Sequence, residues 1–119
     1  MDDKDIFVVD SPVGYTVSCS RHQWDTHVEP GHSELKNRES DVQNAVEHPY
    51  RVYRSPQNPE RHVHYSHPVD CSGRERYTKV VTGPSSTRYN EHTIVTAYHV
   101  PKIRESGNEG NLIYDSCSN

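Results

Sequence analysis

The sequence predicts an α+β domain: one or two N-terminal helices packed on a four-stranded antiparallel sheet, with an extra N-terminal β-hairpin. Three observations carry this. Up to Pro49 the apolar residues include a stretch with helical spacing, whereas beyond it they fall in short runs of β-branched and aromatic residues. Those runs are separated by Pro-, Gly- and Ser-rich connections of hairpin length. Finally, 119 residues with a hydrophobic fraction of 30% and a mean hydropathy of -1.02 hold a single domain with a small core. Concentration of the apolar residues in β-type runs favours a folded sheet with polar loops over a disordered polymer.

Ile6 to Val9 and Tyr15 to Cys19 flank Asp10-Ser11-Pro12-Val13-Gly14, whose Pro and Gly suit the turn of a hairpin. Arg21 to Val28 follow as a short helix, with Trp24 and Val28 at i, i+4 toward the core and Pro30-Gly31 as the break. From Ser33 to His48, Leu35, Val42, Ala45 and Val46 mark a second helix, capped by Ser33 or Ser40 and stopped by Pro49. The four sheet strands are then Arg51–Arg54, Arg61–Tyr65, Tyr77–Thr82 and Thr93–Val100, the last ended by Pro101. Helices on one face leave the other face of the sheet available for work. Residues 1–104 read as the domain, and 105–119 as a flexible polar tail.

The net charge of -4 is unlike that of most nucleic-acid binders, but it hides an asymmetry. Residues 1–50 carry four basic against ten acidic side chains, a net of -6; residues 51–104 carry nine against four, a net of +5. A local field decides where a polyanion docks, so the strands are the place to look. Cys19, Cys71 and Cys117 are odd in number and lack CxxC spacing, which indicates neither a zinc knuckle nor a disulfide framework. No apolar run reaches the roughly 18 residues of a membrane span, and the acidic start Met1-Asp2-Asp3-Lys4 lacks the basic and apolar regions of a signal peptide.

Four motifs recur in order: Pro-x-x-Val-Tyr-x-Ser at Pro49–Ser55, Asn-Pro-x-Arg-His-Val-x-Tyr at Asn58–Tyr65, Tyr-x-Lys-Val-Val at Tyr77–Val81, and Val-Thr-Ala-Tyr at Val95–Tyr98. With a leading helix that carries a histidine, the chain over about residues 22–104 resembles the phage and polymorphic-toxin branch of the barnase/EndoU/colicin/RelE (BECR) ribonuclease superfamily. The resemblance implies a compact domain that cleaves RNA, tRNA included, without metal or other cofactor, often as a toxin. Such a toxin acts in the cytoplasm, can be delivered as a secreted effector, and is neutralised by an immunity protein or antitoxin. Carried over by position, His27 is the helix histidine, Arg61 the basic residue of the second sheet strand, Lys79 the lysine of the next, and Thr96 with Tyr98 the polar pair of the last.

RNA cleavage without metal needs a base for the ribose 2′-hydroxyl, cations for the charge growing on phosphorus, and an acid for the leaving 5′-oxygen. His27 is the leading base by resemblance, and His32 would partner it if the Pro-Gly turn folds back; both could equally be exposed helix-end histidines. Arg61 would clamp phosphate through its planar fork, or form a surface ion pair with Glu60 or Glu91. Lys79 would bind phosphate or lie extended over the face it shares with Tyr77 and Val81. Thr96 and Tyr98, two apart, share one sheet face, with Val95 and Ala97 on the other; cross-strand packing is their structural alternative. His62 and Tyr65 fall on opposite faces of their strand, and His62 is favoured for substrate binding because Val63 suits the core.

Metal chemistry finds less support. His62 and His64 are i, i+2, and His22, His27 and His32 recur every five residues, a period that does not stack on a helix. A binding protein without catalysis, either an RNA-binding subunit or a phage regulator that keeps the fold, is the alternative from another class.

Overall fold

The computed structural model describes residues 4–28, 38–71, 73–86, 88–103 and 112–117, apart from the side chains of His27, Val28 and Cys71. Two strands open the chain, β1 (Asp5–Asp10) and β2 (Thr16–Ser20), antiparallel to each other. Alternation sets the inward face of β1: Phe7 and Val9 are buried, whereas Val8 is 54% exposed. Gly14, at a φ of 114°, closes the turn between them, a conformation that side chains with a Cβ resist. There the Ser11 N–H donates to the Tyr15 carbonyl at 2.8 Å.

Ser20 caps the next element by accepting from the Gln23 N–H at 3.0 Å. The single turn α1 (Arg21–Gln23) widens at once into a π-helical segment, Trp24–Val28. Trp24 is completely buried, and the Gln23 side-chain amide donates to the Ile94 carbonyl, tying this segment to the sheet. The second helix, α2 (Glu39–Glu47), buries Val42, Ala45 and Val46 as the sequence spacing requires. Its start differs from the expectation. Arg38 is the N-cap without a side-chain cap bond, and Ser40 lies inside the first turn; the Arg38–Asp41 ion pair at 3.2 Å steadies that turn instead. Ser33 and Leu35 lie outside the described residues.

Six further strands follow: β3 (Arg51–Arg54), β4 (His62–Tyr65), β5 (Val69–Cys71), β6 (Arg74–Pro84), β7 (Glu91–Val100) and β8 (Leu112–Asp115). The sheet order is β1-β2-β7-β6-β4-β3-β8, with β5 paired to β6 beyond the end of β4. The four expected strands are its centre, β3, β4, β6 and β7, but the sheet has eight strands rather than four. The physical reason is edge protection: β2 joins β7 in parallel and β8 joins β3 antiparallel, so neither side of the central four is left unpaired.

Within the expected flexible tail, 105–119, the described residues 112–117 are instead tied to the sheet through β8. Asp115 pairs with Arg51 at 3.7 Å, and the Ser116 N–H donates to the Tyr50 carbonyl at 3.0 Å. With Leu112, Ile113 and Tyr114 its only apolar run, the segment reads as polar until β3 supplies a partner.

α2 packs on β1, β4 and β6, and the core lies between it and one face of the sheet. Parity on that face is set by the row Val52, His64, Val80, Ala97, all four fully buried. Val63 therefore faces away from the helices, contrary to the expectation that its apolar side chain would seek them. A β-bulge overturns a second parity. Val81 pairs with Thr96 but Thr82 with Ile94, which inserts Val95 as an extra residue. Ile94 and Ala97 can then both be fully buried on the helix face, while Val95 joins Thr96 on the other. Among the described residues no helix is long and apolar enough to cross a membrane.

Candidate nucleic-acid interface

The face turned away from α2 is built in rows fixed by strand register. One row runs Arg51, Tyr65, Lys79, Tyr98; the next runs Tyr53, Val63, Val81, Thr96. The two valines make an apolar floor, and the Tyr-Lys-Tyr triplet stands above it as a ridge. The Lys79 ammonium lies 5.2 Å from the Tyr98 ring centroid and 6.0 Å from that of Tyr65, so the aromatic faces favour the cation where it sits. Tyr65 is only 3% exposed and packs edge-on against Tyr53, with centroids 5.9 Å apart; it is a wall more than a stacking platform.

Two hollows meet at this ridge and share Tyr65, Lys79 and Tyr98. The larger, of about 460 Å³, is completed by the turn Ser55–Asn58, Arg61, Val63, Val81, Val95 and Thr96. The smaller, of about 320 Å³, is completed by Val100, Pro101 and Lys102. Arg61, Lys79 and Lys102 are their charged lining residues; among the described residues no carboxylate lines either hollow. Cations without partners of opposite sign on the same wall make the groove attractive to phosphate.

Local hydrogen bonds hold Arg61 in place. Its N–H donates to the Asn58 carbonyl and its carbonyl accepts from the Ser55 N–H, each at 2.9 Å. The Asn58 side-chain oxygen accepts from the Glu60 N–H at 3.3 Å, which orders the turn further. Gly83 lies beneath the arginine stem: a Cβ there would come 3.6 Å from Arg61 Cγ and 3.3 Å from Val95 Cγ2. The Glu91 carboxylate, one expected alternative partner, is taken by Arg88 at 3.3 Å and by the Ser18 hydroxyl at 3.1 Å.

Arg61, Tyr65, Lys79, Thr96 and Tyr98 are thus brought to one groove. His62 is not, and the preference for it over Tyr65 is reversed. It lies on the helix side with His64, His92 and Tyr15, because the β1–β2 hairpin curls over that face and carries Ser11 and Tyr15 to β4. The Tyr15 hydroxyl bonds His62 Nδ1 at 2.5 Å and lies 3.4 Å from His64 Nε2. The Tyr15 ring stacks on His92 at 3.7 Å, 2° from parallel, and His92 Nδ1 is 3.1 Å from the Thr82 hydroxyl.

Burial shapes the titration of this cluster. It pushes the Tyr15 phenol up to about 12, against hydrogen bonds with Thr82 and Ser11 that lower it. It lowers His64 to about 3, with help from the neighbouring imidazoles His62 and His92 and against a backbone contact with Val80. Burial, then the proximity of His62, lowers His92 to about 4, and burial, then the Arg54 charge, lowers His62. The imidazoles are therefore neutral, each within reach of a hydroxyl through one ring nitrogen. Among the described residues no group of three or more histidine, cysteine, aspartate or glutamate side chains is arranged to hold a metal ion.

The backbone of His27 belongs to the π-helical segment, which packs on β7; its side chain and all of His32 lie outside the described residues. Sequence reasoning missed Ser55, Gln57, Asn58, Val95 and Lys102. The turn-rich connection and the lysine after Pro101 were visible signals for all but Val95, whose place depends on the bulge. Nothing in the sequence pointed to Tyr15, which meets histidines 47 and 49 residues away.

Comparison with models of protein families, with curated proteins and with solved structures finds no match to this chain.

Proposed function

We propose that this protein is a metal-independent endoribonuclease of the toxin type, cleaving RNA by transesterification to leave 2′,3′-cyclic phosphate and 5′-hydroxyl ends. The observation that supports it is the convergence of Arg61, Lys79, Thr96 and Tyr98 on one groove free of described carboxylates. The ribose O2′ attacks phosphorus while the P–O5′ bond breaks. His27, assigned by the resemblance to the BECR superfamily, accepts the 2′-hydroxyl proton. Arg61 and Lys79 stabilise the added negative charge, and the Thr96 hydroxyl donates to a phosphate oxygen. Tyr98 gives its phenolic proton to the departing 5′-oxygen and recovers one from the protonated base through solvent. As a toxin it would act in the cytoplasm, with an immunity protein or antitoxin covering the same groove.

One observation favours a second reading, an RNA-binding or phage regulatory protein that keeps the fold without catalysis: the described strand histidines His62, His64 and His92 all point away from the groove. Incubation with total RNA in EDTA, followed by chemical mapping of the new ends, separates the two. Cyclic-phosphate ends are expected, reduced about 100-fold or more in Arg61→Ala and Lys79→Ala proteins and abolished in His27→Ala. Ends bearing 3′-hydroxyl and 5′-phosphate, or equal cleavage by the variants, would reject the enzyme mechanism. Binding without cleavage by the parent protein would establish the second reading.

A further inference from the structure

The groove has a long axis and a repeat along it. Successive rows on one face of a strand are about 6.6–6.8 Å apart, because alternate residues share a face. Arg61 lies beyond the Val63-Val81-Thr96 row, Lys79 stands in the next row, and Lys102 follows two residues after Val100, which pairs with Tyr77 one row further on. The three cations are therefore strung along the strand direction, with the larger hollow between Arg61 and Lys79 and the smaller between Lys79 and Lys102. Arg61 and Lys79 are two rows apart, about 13 Å at the backbone, so a phosphate at Lys79 is bordered by a hollow on either side.

The hollows are also of the right size. Sites for small ligands run from about 300 to 1,000 Å³, and volumes of about 460 and 320 Å³ fall within that range for one nucleotide each. Across the strand direction β4, β6 and β7 together span only about 10 Å, two interstrand spacings, which suits one strand and not a duplex. The chemistry of the two hollows differs. The larger has Ser55, Gln57 and Asn58 on its rim; the Gln57 carboxamide offers both donors and acceptors to a base edge, and Asn58, whose oxygen accepts from the Glu60 N–H, adds its amide donors. The smaller has Val100 and Pro101, apolar surfaces against which any base can lie.

We infer that the groove takes two consecutive nucleotides of single-stranded RNA, one in each hollow, with their shared phosphodiester at Lys79 and the base in the larger hollow read by Gln57 and Asn58. This rests on the reading of the groove as an RNA site and adds to it the length, strandedness and side of base selection. In the cleavage mechanism it places the scissile phosphate at the Tyr-Lys-Tyr ridge, beside Tyr98.

The test uses 2′-O-methyl oligonucleotides, which cannot undergo transesterification, and measures binding by the full chain. A dinucleotide phosphorylated at both ends is expected to bind at least about tenfold tighter than a mononucleotide phosphorylated at both ends. Lys102→Ala should cut that advantage below about threefold. Gln57→Ala combined with Asn58→Ala should flatten the preference among the four bases at one position only. Circular dichroism spectra of the variants check that they are folded. Equal affinity for one and two nucleotides, an intact advantage in folded Lys102→Ala, or tighter binding of a duplex would overturn the inference while leaving an RNA site in place. Failure of every oligonucleotide to bind would overturn the RNA reading together with it.

Discussion

Acid should unfold this domain through the imidazoles beneath the β1–β2 hairpin. In the folded protein His64 titrates at about 3 and His92 at about 4, against an ordinary value of 6.5. A depressed folded value means that the unfolded chain takes up protons first. The stability these residues contribute is complete above pH 6.5 and is lost as pH falls toward 4 and then 3. Each contributes a slope of about 1.4 kcal/mol per pH unit within that window, so the two together give about 2.7. Between pH 6.5 and 4.5 the loss sums to about 5 kcal/mol, set against the roughly 5–15 kcal/mol that holds a domain of this size together. His62, half-buried and also lowered, acts in the same direction. Urea unfolding followed through Trp24, the one tryptophan of the chain and fully buried, measures the slope directly. His64→Gln and His92→Gln should each remove about half of it. A parent protein whose unfolding free energy changes by less than about 1 kcal/mol over this window, or variants that keep the full slope, would show that these imidazoles do not set the acid limit.

At the opposite end of the pH scale, Tyr15→Phe should abolish the loss of stability expected between pH 10 and 12, where the unfolded phenol ionises and the folded one does not. The same change removes the bond to His62 and should cost about 1–2 kcal/mol at pH 7, read by urea unfolding. Gly83→Ala places a methyl group against Val95 and the Arg61 stem; cleavage should fall about tenfold while stability stays within about 1 kcal/mol of the parent. Deleting residues 112–119 uncovers β3 and removes the Arg51–Asp115 and Tyr50–Ser116 links. It should lower the thermal midpoint by roughly 8 °C, equivalent to about 2 kcal/mol, in a calorimetric scan.

Much of the groove was legible because parity is legible. Two-residue periodicity alone put Thr96 with Tyr98, and opposed His62 to Tyr65, before any register was known. Where the reading failed, the missing information was tertiary. His64, a polar residue, takes a fully buried place where hydroxyls from a hairpin some 50 positions earlier meet its Nε2, and Val63 is displaced to the groove as a result. Local hydrophobicity points the other way. Val95 faces the groove through a bulge, which leaves no signature in a run as regular as Ile94-Val95-Thr96-Ala97. β8 is a four-residue run in an otherwise polar segment, and its partner β3 makes it a strand. The charge split placed the cations in the second half of the chain, and the fold gathers Arg61, Lys79 and Lys102 along one groove.

The proposed RNA site is the face of β4, β6 and β7 turned away from the helices. Titrating isotopically labelled protein with an uncleavable single-stranded oligonucleotide, and mapping the backbone amide shifts by nuclear magnetic resonance, tests it residue by residue. The largest changes are expected at Arg61, Lys79, Thr96, Tyr98 and Lys102 and around His27, with the rest of the acidic first 50 residues nearly silent. Changes confined to residues 5–20 and 39–47 would contradict it.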